Sequence, residues 1–145
     1  EMTAASTVVK SGPRLEQALS KLAELRDRYS RIGVDDPSGW TNQNLAHARS
    51  VGDMLAMADV ILRGGLERRE SRGAHYRTDF TERNDEQFLK TTVATWDNQN
   101  KQASIAFEPV EIGLVRPRAR TYGKVEAAEP SKPAGAKPAK KPAAV

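Results

Sequence analysis

The sequence predicts a mainly α fold: a small three-helix bundle of the spectrin-repeat kind, followed by a β-hairpin and a disordered C-terminal tail. Three observations predict it. Two long stretches carry apolar residues at steps of three and four, one stretch alternates about a polar turn, and the last twenty residues are almost entirely Ala, Pro, Lys and Glu.

Residues 1–9 read as the end of a helix, stopped at Ser11-Gly12-Pro13 by the strong punctuation of Gly and Pro. Pro13 suits the first turn of the next helix, where its missing N–H would be unpaired in any case. From Arg14 to Ile32 the apolar positions are Leu15, Ala18, Leu19, Leu22, Leu25, Tyr29 and Ile32, one face of an amphipathic helix, with Glu16, Lys21, Glu24, Asp27 and Arg28 opposite. Asp36-Pro37-Ser38-Gly39 is a turn signal, and Thr41 or Asn42 can cap a second, longer helix. That helix places Leu45, Ala48, Gly52, Met54, Leu55, Ala58, Ile61, Leu62 and Leu66 on its buried side. Gly52 and Ala48 invite close approach of a neighbour, and His47, among polar residues, reads as an ordinary surface histidine.

The helical period stops after Glu70, and Gly73 is placed to end the long helix. Phe88 to Trp96 reads as a strand, Asp97 to Lys101 as a polar turn, and Gln102 to Phe107 as the returning strand, ended by Pro109. Arg116 to Tyr122 is an extended basic stretch leading to the tail. The organisation expected is therefore one domain over 1–125 and a disordered tail over 126–145, whose composition cannot bury enough surface to offset its ordering entropy. Glu1 opens directly into helix-like sequence, as a fragment of a longer chain would.

Composition excludes several function classes. With no cysteine there is no disulfide, iron–sulfur ligation or thiol chemistry, and two histidines make an internal histidine metal site unpromising. The net charge of +4 splits evenly, because four lysines against Glu126 and Glu129 give the tail +2 and leave +2 for the rest. No basic stripe is interleaved with aromatics, so nucleic acid is not an expected partner. No apolar run approaches the roughly 20 residues needed to cross a bilayer, so direct membrane insertion is not expected either.

The segment from Glu67 to Asp85, reading ERRESRGAHYRTDFTERND, is the most specific feature. It resembles the motif written roughly RKESRGAHxRxDxPERDD in succinate dehydrogenase and fumarate reductase flavoproteins. The following Phe88-Leu89-Lys90, the strand ending in Trp96-Asp97 and the hairpin also match that family, and the resemblance covers about residues 1–122. L-aspartate oxidase and the adenylylsulfate reductase alpha subunit share this helical domain. The former usually has a larger apolar residue at the position of Ala74 and lacks the charged run and extended hairpin. Thr81 stands where the family usually has Pro, and Thr91 where it often has His; neither is catalytic there.

The resemblance implies a C-terminal structural and docking domain of the flavoprotein subunit of succinate dehydrogenase, the succinate:quinone oxidoreductase that converts succinate to fumarate. It implies FAD in the parent subunit, bound covalently to a histidine in a preceding domain, with the dicarboxylate ligands and the proton-donating arginine also upstream. No cofactor and no catalytic residue is expected in this chain, and the sequence contains no GxGxxG fingerprint. The implied partners are the flavin and capping domains of the same subunit and the iron–sulfur subunit. The implied location is cytoplasmic, peripheral at the cytoplasmic face of the inner membrane through the parent complex. The alternative is a free-standing helical interaction module, or a paralogue without catalytic domains.

Within the charged segment two readings compete. Arg72, His75 and Arg77 could hold a carboxylate or phosphate, since arginine offers a planar fork of donors. Five arginines, Arg68, Arg69, Arg72, Arg77 and Arg83, are nearly balanced by Glu67, Glu70, Asp79 and Glu82. Such balance favours an ion-pair network that docks the loop onto another domain. The docking residues expected are Glu70, Arg72, His75, Arg77, Asp79 and Arg83.

Overall fold

The computed structural model describes residues 2–114 together with 117 and 118. The expected tail, and most of the basic stretch before it, lie outside the described residues. In chain order come α1 (Met2–Ser6), β1 (Val9–Lys10), α2 (Gly12–Tyr29), α3 (Gln43–Glu67), β2 (Tyr76–Arg77), α4 (Asp85–Phe88), β3 (Lys90–Asp97) and β4 (Gln102–Pro109). Helices followed by an antiparallel hairpin are thus the architecture, with two long helices and two short ones.

Pro13 sits in the first turn of α2, as its fixed φ allows. Ser11 occupies the N-cap position but makes no side-chain cap bond. The first amide, which has no partner within the helix, is satisfied from across the fold, because Gly12 N donates to Asp79 Oδ2 at 2.9 Å. Asn42 caps α3, its side chain accepting from Leu45 N at 2.8 Å while its own Nδ2 donates to the carbonyls of Asp36 and Ser38.

The core is a strip between the two long helices, formed by Leu15 and Leu22 of α2, Ala58 and Leu62 of α3, and Ala5 of α1. Met2, Ala18, Leu19, Leu55 and Leu66 pack against it. A Cβ added at Gly52 would lie 2.5 Å from Tyr29 Oη and 2.9 Å from Tyr29 Cζ, so the tyrosine needs the space that glycine leaves. The expected buried sides were drawn too wide. Leu45, Met54 and Ile61 are exposed, because α2 covers only one side of α3 and the hairpin a second, and Ile32 is exposed beyond the end of α2 at Tyr29.

The hairpin runs from Lys90↔Pro109 to Asp97↔Gln102. Its turn is held by the Asp97 carboxylate, which accepts from Gln99 N at 2.8 Å, Asn100 N at 3.2 Å and Asn100 Nδ2 at 2.6 Å. Phe88, expected in the first strand, instead ends the one-turn helix α4, capped by Asn84 accepting from Gln87 N. The position of Gly73 also differs from expectation. Helix α3 ends at Glu67, and Gly73, with φ +58°, turns the chain between Arg72 and His75, which exchange backbone hydrogen bonds of 2.8 and 3.0 Å.

Candidate functional site

The segment after α3 folds into two ion clusters and one histidine contact. In the first cluster Glu70 is the centre and is 0% exposed. Its carboxylate accepts from Arg68 Nη1 at 2.5 Å, from Arg72 Nε at 2.8 Å and Nη2 at 3.0 Å, and from the backbone N–H of Asn84 at 2.9 Å. Burial pulls the Glu70 carboxyl upward, but the donors from Arg72, Asn84 and Arg68 outweigh it and hold the group below its ordinary value. Arg72 also reaches Asp85, which Arg83 meets with a second fork, and the two arginines hold Asp85 down at about 2.

In the second cluster Arg77 is 2% exposed. It donates to both Asp79 oxygens at 2.8 Å, to Gly65 O at 2.6 Å and to Leu66 O at 3.1 Å. One guanidinium thereby closes the carbonyl end of α3, where the helix dipole favours a cation, and aims Asp79 at the first amide of α2. The Arg77 hydrogen bonds hold the Asp79 carboxyl far below the usual carboxylate range, against the opposing effect of burial. The Phe80 ring lies 5.1 Å from the Arg77 guanidinium.

His75 belongs to neither cluster. Its Nε2 is 3.0 Å from Arg68 O, a contact in which only the ring nitrogen can donate. Burial pushes the imidazole below its ordinary pKa, and the charges of Lys10, Arg77 and Arg68 add to that against the Arg68 carbonyl. Arg68 continues the network into the hairpin. It donates to Phe88 O at 2.9 Å, Lys90 O at 2.7 Å and Thr92 Oγ1 at 3.0 Å, between the rings of Phe88 and Phe107.

The structure therefore brings Glu70, Arg72 and Arg83 together, and joins Arg77 to Asp79 about the ends of α2 and α3. Each of these arginines already has a carboxylate partner inside the domain, and every buried side-chain polar atom among the described residues is satisfied. The outward surface of the loop includes Gly73, Ala74, Tyr76, Thr78, Phe80, Thr81 and Glu82, with Asp79 exposed at its edge.

Two residues outside the expected set matter equally. Asp59, 1% exposed on α3, accepts from Arg26 at 3.2 Å, Arg63 at 2.9 Å and Ala103 N at 2.7 Å, tying α2, α3 and β4 together. A lone acid in the run Ala56-Met57-Ala58-Asp59-Val60-Ile61-Leu62 is the sequence signal for it. Lys10 is buried in β1, and no residue pattern marks it. Among the described residues no cluster of His, Asp or Glu could hold a metal ion, and no helix is long and apolar enough to cross a membrane.

A family model for the C-terminal part of fumarate reductase flavoproteins matches residues 1–122. The chain is 38% identical over 128 residues to the succinate dehydrogenase flavoprotein subunit of Bacillus subtilis, covering 88% of this chain and 22% of that protein. It is 41% identical over 109 residues to the fumarate reductase flavoprotein subunit of Haemophilus influenzae, covering 75% and 18%. In a solved structure of E. coli quinol fumarate reductase the matching chain is 31% identical, with a TM-score of 0.78 over 81% of this chain and 20% of that one. Adenylylsulfate reductase from Archaeoglobus fulgidus, at 24% identity and TM-score 0.62, shares the fold. The chain spans about a fifth of the length of the curated relatives it matches.

Proposed function

The chain belongs to the family of fumarate reductase and succinate dehydrogenase flavoprotein C-terminal domains, and from that premise we propose that it is the structural and docking domain of a succinate:quinone oxidoreductase flavoprotein. The family match over residues 1–122 carries the reading. In it, the parent subunit converts succinate to fumarate with FAD held upstream, and this domain packs on the flavin and capping domains and on the iron–sulfur subunit. The complex places it peripherally at the cytoplasmic face of the inner membrane. The domain proper runs over 1–125, and 126–145 is an appended tail. The contact of Ala5 and Met2 with the α2–α3 core supports α1 as part of the third helix of a bundle.

The residues present do not fit a flavin. Each sheet among the described residues has two strands, and neither forms the strand–turn–helix cradle that receives a dinucleotide phosphate. An open groove of about 590 Å³ between the end of α2 and the start of α3 is lined mainly by apolar side chains. The ion clusters then act as a scaffold: Glu70, Arg72, His75, Arg77, Asp79 and Arg83 fix the loop so that its outer surface meets the neighbouring domains in one shape.

The test is to purify the chain with added FAD and measure flavin absorbance and succinate-dependent dye reduction. Neither signal is expected. Flavin bound at one equivalent, or turnover by the chain alone, would overturn the proposal.

A further inference from the structure

We propose that the free edge of β1 receives an extended, carboxylate-bearing segment from the flavin-binding part of the same flavoprotein, which adds a third strand beside Val9. The inference rests on the docking reading above and names the seat of that docking. It begins from an incomplete sheet. β1 and β2 are parallel, paired Val9↔Tyr76 and Lys10↔Arg77, and the sheet ends there. Parallel sheets are normally covered on both faces and built of more strands, since the pairing is weak for so short a ladder.

The two edges of this ribbon differ. On β2, Ser71 Oγ accepts from Arg77 N at 2.9 Å and Arg77 O accepts from Phe80 N at 3.2 Å, so the outer edge is closed by the chain itself. On β1, the carbonyls of Val8 and Lys10 accept from Tyr76 N at 3.0 Å and Thr78 N at 2.9 Å. The alternation of a strand then turns the N–H and C=O of Val9 the other way, and they meet no partner among the described residues. Val8, Val9 and Tyr76 leave an apolar surface around that edge. An open edge flanked by apolar side chains is a template for strand addition.

Charge selects the occupant. Lys10 is 8% exposed, its ammonium donates to the Thr7 carbonyl, and no carboxylate lies within salt-bridge distance among the described residues. The nearby charge is cationic, Arg77, and Asp79 is already engaged by Arg77 and Gly12. Burial, then the Arg77 charge, lowers the Lys10 pKa, as expected for a buried cation that lacks a counter-ion. A segment bringing a carboxylate to this edge would supply both the missing strand and the missing charge. Because the matched relatives are about five times longer and this chain matches their C-terminal part, such a segment is available within the same subunit.

Hydrogen exchange on the full-length flavoprotein and on the 145-residue chain, read at single amides, tests this. The Val9 amide should exchange about 100-fold more slowly in the full-length subunit, while Tyr76 and Thr78 stay protected in both. Lys10→Met in the full-length subunit should return at least about tenfold of that protection without exposing Tyr76 or Thr78. Protection gained at the Gly73–Ala74 turn but not at Val9 would overturn this inference and leave the docking reading standing. No gain anywhere on the loop or on β1 would overturn both. Protection of Val9 that ignores Lys10→Met would overturn the carboxylate assignment.

Discussion

Replacing Arg77 with methionine keeps an apolar stem of similar length and removes the group that joins the ends of α2 and α3. Three things are lost: the paired hydrogen bonds to Asp79, the donors to Gly65 O and Leu66 O, and the alignment of Asp79 with Gly12 N. Breaking one partner of a buried ion pair costs about 3–5 kcal/mol. The Asp79 side chain is 32% exposed, so water recovers part of that and the lower end, about 3 kcal/mol, applies. For a domain of this size about 3 kcal/mol lowers the melting temperature by about 12 °C or more. Circular dichroism at the helix band reads it directly. The double variant Arg77→Met/Asp79→Leu should melt higher than Arg77→Met alone, because it leaves no orphaned charge. A loss under about 1 kcal/mol for Arg77→Met, or strict additivity in the double variant, would refute this account of the loop.

Asp59→Ala should destabilise by about 2–3 kcal/mol, since it leaves Ala103 N without an acceptor and two arginines without their counter-ion. It should also change the fluorescence of Trp96, over which Arg26 is stacked at 5.3 Å, while the exposed Trp40 contributes a constant background. Gly64→Ala should stabilise α3 by about 0.5–1 kcal/mol in urea titrations. The new methyl would meet Thr92 and Ile105 only at 3.9 and 4.0 Å. Gly52→Ala should lose that gain, because Tyr29 must move. Acid should destabilise the fold in two windows, seen as melting temperature against pH. His75 is held below its ordinary pKa, so the unfolded chain takes its proton first, and the stability it contributes above about pH 6.5 declines as pH falls. His75→Gln should flatten that part of the curve. Glu70, Asp79 and Asp85 are likewise held low, so their contribution is complete above about pH 5 and is lost as pH falls through about 4 toward 2.

The long helices and the hairpin were legible because their signals are local. Leucines at three- and four-residue steps, Asn42 before an apolar run, and alternation on both sides of Asp97–Lys101 each describe a few consecutive residues. The width of the buried face was not legible. Periodicity puts Met54 and Ile61 on an apolar stripe, but it cannot say whether the element that covers them is in this piece of chain. The charged segment shows the same division. Its near-neutral balance pointed to an ion network that docks the loop onto another domain; the ion pairs found join residues within this domain. Its ion pairs are mostly two residues apart, as in Arg77–Asp79 and Arg83–Asp85, but the bonds that tie it to the rest of the fold lie far away in sequence: Asp79 bonds Gly12 across 67 residues, and Arg68 spans 24 to Thr92. Gly73 was assigned to the helix end because a glycine after a periodic run is a stop signal. Arg77 performs that closure instead, from ten residues beyond Glu67, the last residue of α3, and glycine serves the tight turn between Arg72 and His75. Lys10 escaped because a buried charge is identified by what surrounds it in space, whereas Asp59 carried a local signal, a lone acid in an apolar run, that does not reveal its partners.

Complementation tests the central claim most directly. The flavoprotein subunit would be produced without its last fifth, with and without this chain supplied separately, and succinate-dependent dye reduction measured in the purified material. A structural docking domain predicts that the chain co-purifies with the shortened subunit and raises its activity and thermal stability together, with a Michaelis constant for succinate close to that of the intact subunit. Full activity and stability of the shortened subunit without the chain, or a chain that never associates with it, would contradict the account.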